Sequence, residues 1–282
     1  MPGPANPRSM LHATTAPADA IPLWLPYRRP RADAALRLFC FPYAGGLASA
    51  YRAWQNDLPG EVEVCAVQLP GRESHWVPPA FTSLPRLLDA LEEVLEPLLD
   101  RPYALAGHSM GGTIAFELAR RLQARRPPVH VFVSGTRAPH LPDPRGPRHA
   151  LPHDALVQEL REIGGTPPEV LEHEELMSLV LPLVRADFEL NDTHVHVPGP
   201  PLDCPLSAFG GAHDPIVPPE TVEGWRPYTC GGFRSRMFDG DHFFLHTHHA
   251  ELLGEVLGEL RGHCRGVQPS GRSAQPPEAR IR

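Results

Sequence analysis

No run of apolar residues in this chain of 282 is long enough to cross a bilayer. The opening stretch, MPGPANPRSMLHATTAPADA, has no continuous apolar segment of the kind a secretory leader needs. Cysteine is scarce: residues 40, 65, 204, 230 and 264 are odd in number and widely spaced, which excludes a dense disulfide framework and paired metal-ligand spacing. These absences lead us to expect a cytoplasmic protein in a reducing compartment, away from membranes. Basic side chains (26) are outnumbered by acidic ones (33), for a formal net charge of −7, so nothing marks a general nucleic-acid binder. No internal repeat is present. Proline, by contrast, is plentiful at 36 residues and marks loops and short elements.

Against that background, Gly107-His108-Ser109-Met110-Gly111 stands out. It lies between a short apolar run, Pro102 to Ala106, and a segment whose Ile114, Ala115, Leu118, Ala119 and Leu122 form one helical stripe, with Glu117, Arg120 and Arg121 facing away. A serine flanked by glycines at a strand-to-helix bend is the signature of a nucleophile held above a parallel sheet.

Strand and helix signals alternate along the rest of the chain. Strands are expected at Arg37–Phe41, Val62–Val67, Val129–Val133, Leu206–Phe209 and Arg234–Phe238. Helices are expected from near Ser49 through Trp54 and Leu58, over Leu84–Leu99 with Pro97 distorting the last turn, and over Thr247–Leu260. This alternation implies right-handed crossovers and a mostly parallel central sheet with helices on both faces. Residues 137–197 break the rhythm with two helix-like segments, His153–Ile163 and Pro168–Phe188, which predicts an inserted helical cap or lid over the serine. The expected organisation is a disordered lead (1–20), one α/β domain (21–261) and a disordered tail (262–282).

A serine hydroxyl needs a base to take its proton, and histidine suits that task near neutral pH. In such sheets the chain order is Ser, acid, His. Asp214 follows one late strand, and His242 follows the next and precedes the closing helix. We therefore expect Ser109, Asp214 and His242 to act together, with Asp239 and Asp241 as rival acids of lower rank. Backbone N–H groups of Met110 and of Ala44, in the loop Phe41-Pro42-Tyr43-Ala44-Gly45-Gly46, are the expected oxyanion donors. The glycines of that loop do not follow a nucleotide-binding spacing. His242, His246, His248 and His249 lack a metal-binding pattern such as H-E-x-x-H, and Cys40 reads as a buried strand residue. No cofactor and no metal is expected.

FPYAGG (41–46), QLPGR (68–72), GHSMGG (107–112), LPLVRADFEL (181–190), GGAHDPIV (210–217) and GDHFFL (240–245) together resemble the type II thioesterases, from about Trp24 to Leu260. These are free-standing enzymes of the α/β-hydrolase fold that serve polyketide and non-ribosomal peptide synthesis. The resemblance implies hydrolysis of acyl thioesters on the phosphopantetheine arm of an acyl or peptidyl carrier protein, for editing or release. It places nucleophile, acid and base on Ser109, Asp214 and His242 and the oxyanion donors on Ala44 and Met110. It assigns Arg185–Phe188 to the acyl pocket or cap packing. A monomer is expected, and Arg137, Arg145 and Arg148 are candidates for a basic patch that docks the acidic carrier. A small-molecule carboxylesterase or lipase, a non-catalytic binding protein on a hydrolase scaffold, and a fused terminal domain that releases or cyclises product remain as alternatives.

Overall fold

The computed structural model describes residues 17–76 and 79–264. Its centre is a six-stranded, wholly parallel sheet in the order β2-β1-β3-β4-β5-β6. The strands are β1 (Leu36–Phe41), β2 (Val62–Ala66), β3 (Tyr103–His108), β4 (His130–Ser134), β5 (Leu206–Gly211) and β6 (Phe233–Phe238). Strands β1 to β5 are buried along their whole length, as expected where helices cover both faces. Edge strand β6 exposes Arg234 and Ser235, and charge on an edge discourages pairing with another chain.

The helices are α1 (Pro17–Trp24), α2 (Trp54–Asp57), α3 (Leu84–Leu95), α4 (Met110–Leu122), α5 (His153–Ile163), α6 (Pro168–Leu171), α7 (Glu174–Asp192), α8 (Phe244–Thr247) and α9 (His249–Cys264). Alternate strand residues feed two cores. Phe39, Phe41, Leu105 and Val131 pack with α3 and α4, while Leu38, Cys40, Ala104, Ala106 and Phe132 pack with Trp54 and α9. Helices α5 to α7, inserted between β4 and β5, bury their own cluster of Leu156, Leu160, Leu171, Met177, Leu181 and Val184.

The chain steps outward from β1 to β2 and returns on the other side of β1 as β3. The strand order therefore reverses between β1 and β3, and the crevice above such a reversal is where open α/β sheets bind ligands. The loop after Phe41 and the bend at Ser109 both stand there.

Several expected elements are subdivided. The helix expected from Ser49 is a 3₁₀ turn, Ala48–Tyr51, followed by the short α2. The segment Pro168–Phe188 splits because His173 takes an extended conformation (φ −100°, ψ 102°) and starts α7, whose first turn carries Glu174 and Glu175. The closing helix is interrupted at His248 (φ −111°, ψ 32°), whose Nε2 lies 2.8 Å from the Asp239 carbonyl. As the sequence predicts, α3 gives way at Pro97 to a 3₁₀ turn, Glu96–Leu98, since proline supplies no N–H.

The lead expected to be disordered through residue 20 becomes helical at Pro17, where α1 leads into buried Trp24, packed edge-on against His75 with ring centroids 5.0 Å apart. At the other end α9 continues to Cys264, past its last buried residue, Leu260. Residues 1–16 and 265–282, the rest of the expected lead and tail, lie outside the described residues. All five cysteines are free, and among the described residues no helix is long and apolar enough to cross a membrane.

Candidate active site

Ser109 sits between β3 and α4 at φ 54°, ψ −120°, a conformation that costs a side-chain-bearing residue about 1–3 kcal/mol. Surrounding hydrogen bonds hold it there. Its N–H donates to the Ser134 carbonyl (2.7 Å), and its own carbonyl accepts from Gly112 N–H (2.9 Å) and Thr136 Oγ1 (2.9 Å). The bend also needs two glycines: a Cβ at Gly107 would stand 1.9 Å from the Gly111 oxygen, and one at Gly111 2.1 Å from the Phe41 oxygen. The motif thus brings the start of α4 against β1 and beside the loop containing Ala44.

Asp214 follows β5 and His242 follows β6. His242 Nδ1 lies 2.7 Å from Asp214 Oδ2, and both side chains are buried. Asp214 Oδ1 accepts the N–H groups of Ile216 (2.8 Å) and Val217 (3.0 Å), so the carboxylate is fixed at both oxygens. A carboxylate only accepts, so Nδ1 carries the imidazole proton and Nε2 keeps a lone pair. The rival acids are engaged elsewhere: Asp239 meets His213 (2.9 Å), and Asp241 accepts the Phe243 N–H (2.8 Å).

Ser109, Met110, His242 and Ala44 line one cavity of about 850 Å³. Among the described residues neither the Ala44 nor the Met110 backbone N–H meets an acceptor. The insertion contributes apolar lining from Leu160 and Ile163 of α5 and Val180, Val184 and Phe188 of α7, together with polar lining from Asn191, Asp192, His194 and His196. The space can hold an extended acyl group with its carbonyl beside the serine.

Sequence reasoning overlooked His108, the residue before the serine, although it lies inside the motif. It is buried, its Nδ1 is 2.9 Å from Ser134 Oγ, and its ring centroid is 5.1 Å from that of His242. Burial first, and the neighbouring His242 second, push its pKa well below the usual imidazole value. A neutral ring here spares His242 a second positive charge.

The expected docking arginines are not a free basic patch. Arg148 is 5% exposed and pairs with Asp143 (2.7 Å) and Glu159 (2.8 Å). Arg145 pairs with Glu159 (3.0 Å) and Glu162 (2.8 Å), and Arg137 with Asp143 (3.2 Å) and the Ile216 carbonyl (2.6 Å). These side chains cross-link the insertion internally, because the acids that neutralise them lie on the same folded segment or next to it.

The clustered histidines face different partners: His242 faces Asp214, His248 the Asp239 carbonyl, and His249 Asp57 (2.7 Å). Another group, Glu117 with His194 and His196, has metal-like spacing, each histidine nitrogen lying 3.2 Å from Glu117 Oε1. The Arg120 guanidinium is 2.8 Å from Glu117 Oε2 and 3.5 Å from His196 Nδ1, so a positive charge already stands beside that carboxylate. Cys40 is fully buried, and burial raises its thiol pKa well above the usual value, as suits an inert strand residue.

Residues 36–261 match the sequence family described as Thioesterase domain. The gramicidin S biosynthesis protein GrsT of Aneurinibacillus migulanus is 42% identical over 84% of this chain and 94% of its own length. Among solved structures, the RedJ thioesterase from the prodiginine biosynthetic pathway of Streptomyces coelicolor is 44% identical, covers 81% of this chain and 92% of its own, and superposes with a TM-score of 0.77. The type II thioesterase BorB from the borrelidin biosynthetic cluster is 38% identical, covers 83% and 96%, and gives a TM-score of 0.76.

Proposed function

Since the chain belongs to the thioesterase family, among the type II enzymes of non-ribosomal peptide and polyketide biosynthesis, we propose that it hydrolyses acyl thioesters on the phosphopantetheine arm of carrier proteins. Ser109 is the nucleophile, His242 the base and Asp214 the acid that orients it. Ser109 Oγ attacks the thioester carbonyl while His242 Nε2 takes its proton. Asp214 stabilises the resulting imidazolium through Nδ1–H. The N–H groups of Ala44 and Met110 hold the oxyanion. Collapse expels the pantetheine sulfur, which takes the proton from His242, and leaves an acyl-serine. His242 then deprotonates water for attack on that ester, and the same proton returns to Ser109 as the acid departs.

The observation that supports this reading is one cavity lined by a strained serine, an imidazole whose Nδ1 is held by a carboxylate, and two residues with unengaged backbone N–H groups. The stretch 137–197 serves as the cap and houses the acyl group. The enzyme acts in the cytoplasm as a monomer, on stalled or finished acyl groups.

Ser109→Ala tests the mechanism. We expect turnover of an acyl-pantetheine thioester to fall by about 10⁴-fold or more, with unchanged thermal unfolding. Retained turnover overturns the assignment. The wild type should hydrolyse the thioester faster than the matched oxygen ester, whereas the reverse preference identifies a carboxylesterase.

A further inference from the structure

Two of the motifs singled out in the sequence take no part in the bond-making and proton transfers above: QLPGR at 68–72 and the RADF segment of α7, at 185–188. The fold brings them together although Arg72 and Asp187 are 115 residues apart. Arg72 Nη2 donates to Asp187 Oδ1 (2.7 Å) and Nη1 to Oδ2 (3.0 Å), a two-pronged pair whose side chains are each 2% exposed. The pair also grips the loop that carries Ala44. The Gly45 N–H donates to Asp187 Oδ2 (2.7 Å), and Arg72 Nη1 donates to the Gly46 carbonyl (3.0 Å). Gln68, from the same QLPGR segment, accepts the Ala48 N–H through Oε1 (2.7 Å).

Three attachment points, at Gly45, Gly46 and Ala48, therefore fix the loop just after Ala44, whose own N–H stays unengaged. Helix α7 also touches the loop directly: Gly45 has φ +72°, and a Cβ there would lie 2.9 Å from Val184 Cγ2. A buried ion pair adds little net stability compared with well-packed apolar side chains. An apolar pair here would, however, leave the buried Gly46 carbonyl without this partner, at a cost of about 1–3 kcal/mol, and would release the part-buried Gly45 N–H from its acceptor. The charged pair sits where it can set the direction of the Ala44–Gly45 peptide.

We propose that Arg72 and Asp187 are positioning residues for the oxyanion loop, and that through them the seating of cap helix α7 governs how well the Ala44 N–H meets the reacting oxygen. The proposal rests on the serine mechanism given above. A donor tilted from its oxyanion loses much of its worth only in the transition state, so the effect belongs to kcat rather than KM.

The test compares wild type with Asp187→Asn and Arg72→Lys. Steady-state kinetics on acetyl- and decanoyl-pantetheine, thermal unfolding, and inhibition by an acyl trifluoromethyl ketone, which adds to a serine as a tetrahedral oxyanion, are measured for each. For folded Asp187→Asn we expect kcat to fall about 10- to 100-fold on both acyl lengths, KM to stay within about twofold, and inhibitor affinity to weaken by a similar factor. Arg72→Lys, which keeps the charge but loses the fork, should show a smaller loss of the same kind and carries the test if Asp187→Asn does not fold. Unchanged kcat in the folded variants overturns the proposal. So does a loss confined to KM for the decanoyl substrate, which would make the pair part of the acyl wall only. Ser109→Ala, run alongside, separates the two claims: if it is active, the serine mechanism falls, and if it is inactive while Asp187→Asn is fully active, only the positioning role falls.

Discussion

Asp214 and His242 meet at 2.7 Å beyond the ends of β5 and β6, and the aspartate's other oxygen is held by the N–H groups of Ile216 and Val217. That arrangement gives the carboxylate a definite polarity. One oxygen serves the backbone and the other serves the imidazole, so the ring is locked in the tautomer that keeps Nε2 available.

Asp214→Asn should exploit that polarity. The new amide oxygen stays with the two backbone donors, and its NH₂ then faces His242. Nδ1 becomes the acceptor, and Nε2 is left protonated and unable to take the serine proton. We expect kcat on an acyl-pantetheine substrate to fall about 10³- to 10⁴-fold with little change in KM or melting temperature. Steady-state kinetics check this, and a loss under tenfold would remove Asp214 from the mechanism.

Acid should weaken the fold through its buried neutral histidines. His130, stacked on Phe132 and 2.9 Å from Ser207 Oγ, has its pKa lowered from 6.5 to about 4, chiefly by burial. Between those two values the unfolded chain binds a proton that the folded one refuses. Stability is therefore full above about pH 6.5, falls as pH drops through that window, and levels off below about 4 for this group. From pH 7 to pH 5 the loss amounts to about 2 kcal/mol. His108, lowered by the same cause, acts in the same direction. Urea unfolding at the two pH values measures the sum, and His130→Gln should flatten the dependence. An unaltered slope in that variant would assign the acid sensitivity to other groups.

Arg148→Met should report on cap integrity rather than carrier docking. The guanidinium pairs with Asp143 and Glu159, and its carbon lies 5.9 Å from the centre of the Phe188 ring. Each acid keeps a second arginine, Arg137 or Arg145, so we expect a loss of about 1–3 kcal/mol rather than unfolding. The ratio of kcat/KM on carrier-bound and free pantetheine substrates should not change. A selective loss on the carrier-bound substrate would restore a docking role for this arginine.

Much of the candidate site was legible because its signals are local. The Gly-x-Ser-x-Gly bend, the Gly-rich loop after β1, and an aspartate and a histidine just past two late strands each lie in a few neighbouring residues. The subdivided helices were less legible, because His173 and His248 have no breaker chemistry of their own. Their φ and ψ values reflect how neighbouring segments pack. The pairing of Arg137, Arg145 and Arg148 was illegible for a related reason: charge is visible in a sequence, but its neutralisation by Asp143, Glu159 and Glu162 depends on the fold.

By itself, the chain's order of residues determined the α/β alternation, the strained serine bend and the candidate residues Ser109, Asp214 and His242, since helical and strand periodicity and glycine sterics act over a few residues. Only the tertiary structure decided which distant groups share a dielectric and a hydrogen bond. The Arg72–Asp187 grip on the loop at Gly45 and the neutral His108 beside His242 arise from packing between segments far apart in the chain, and no local pattern encodes them.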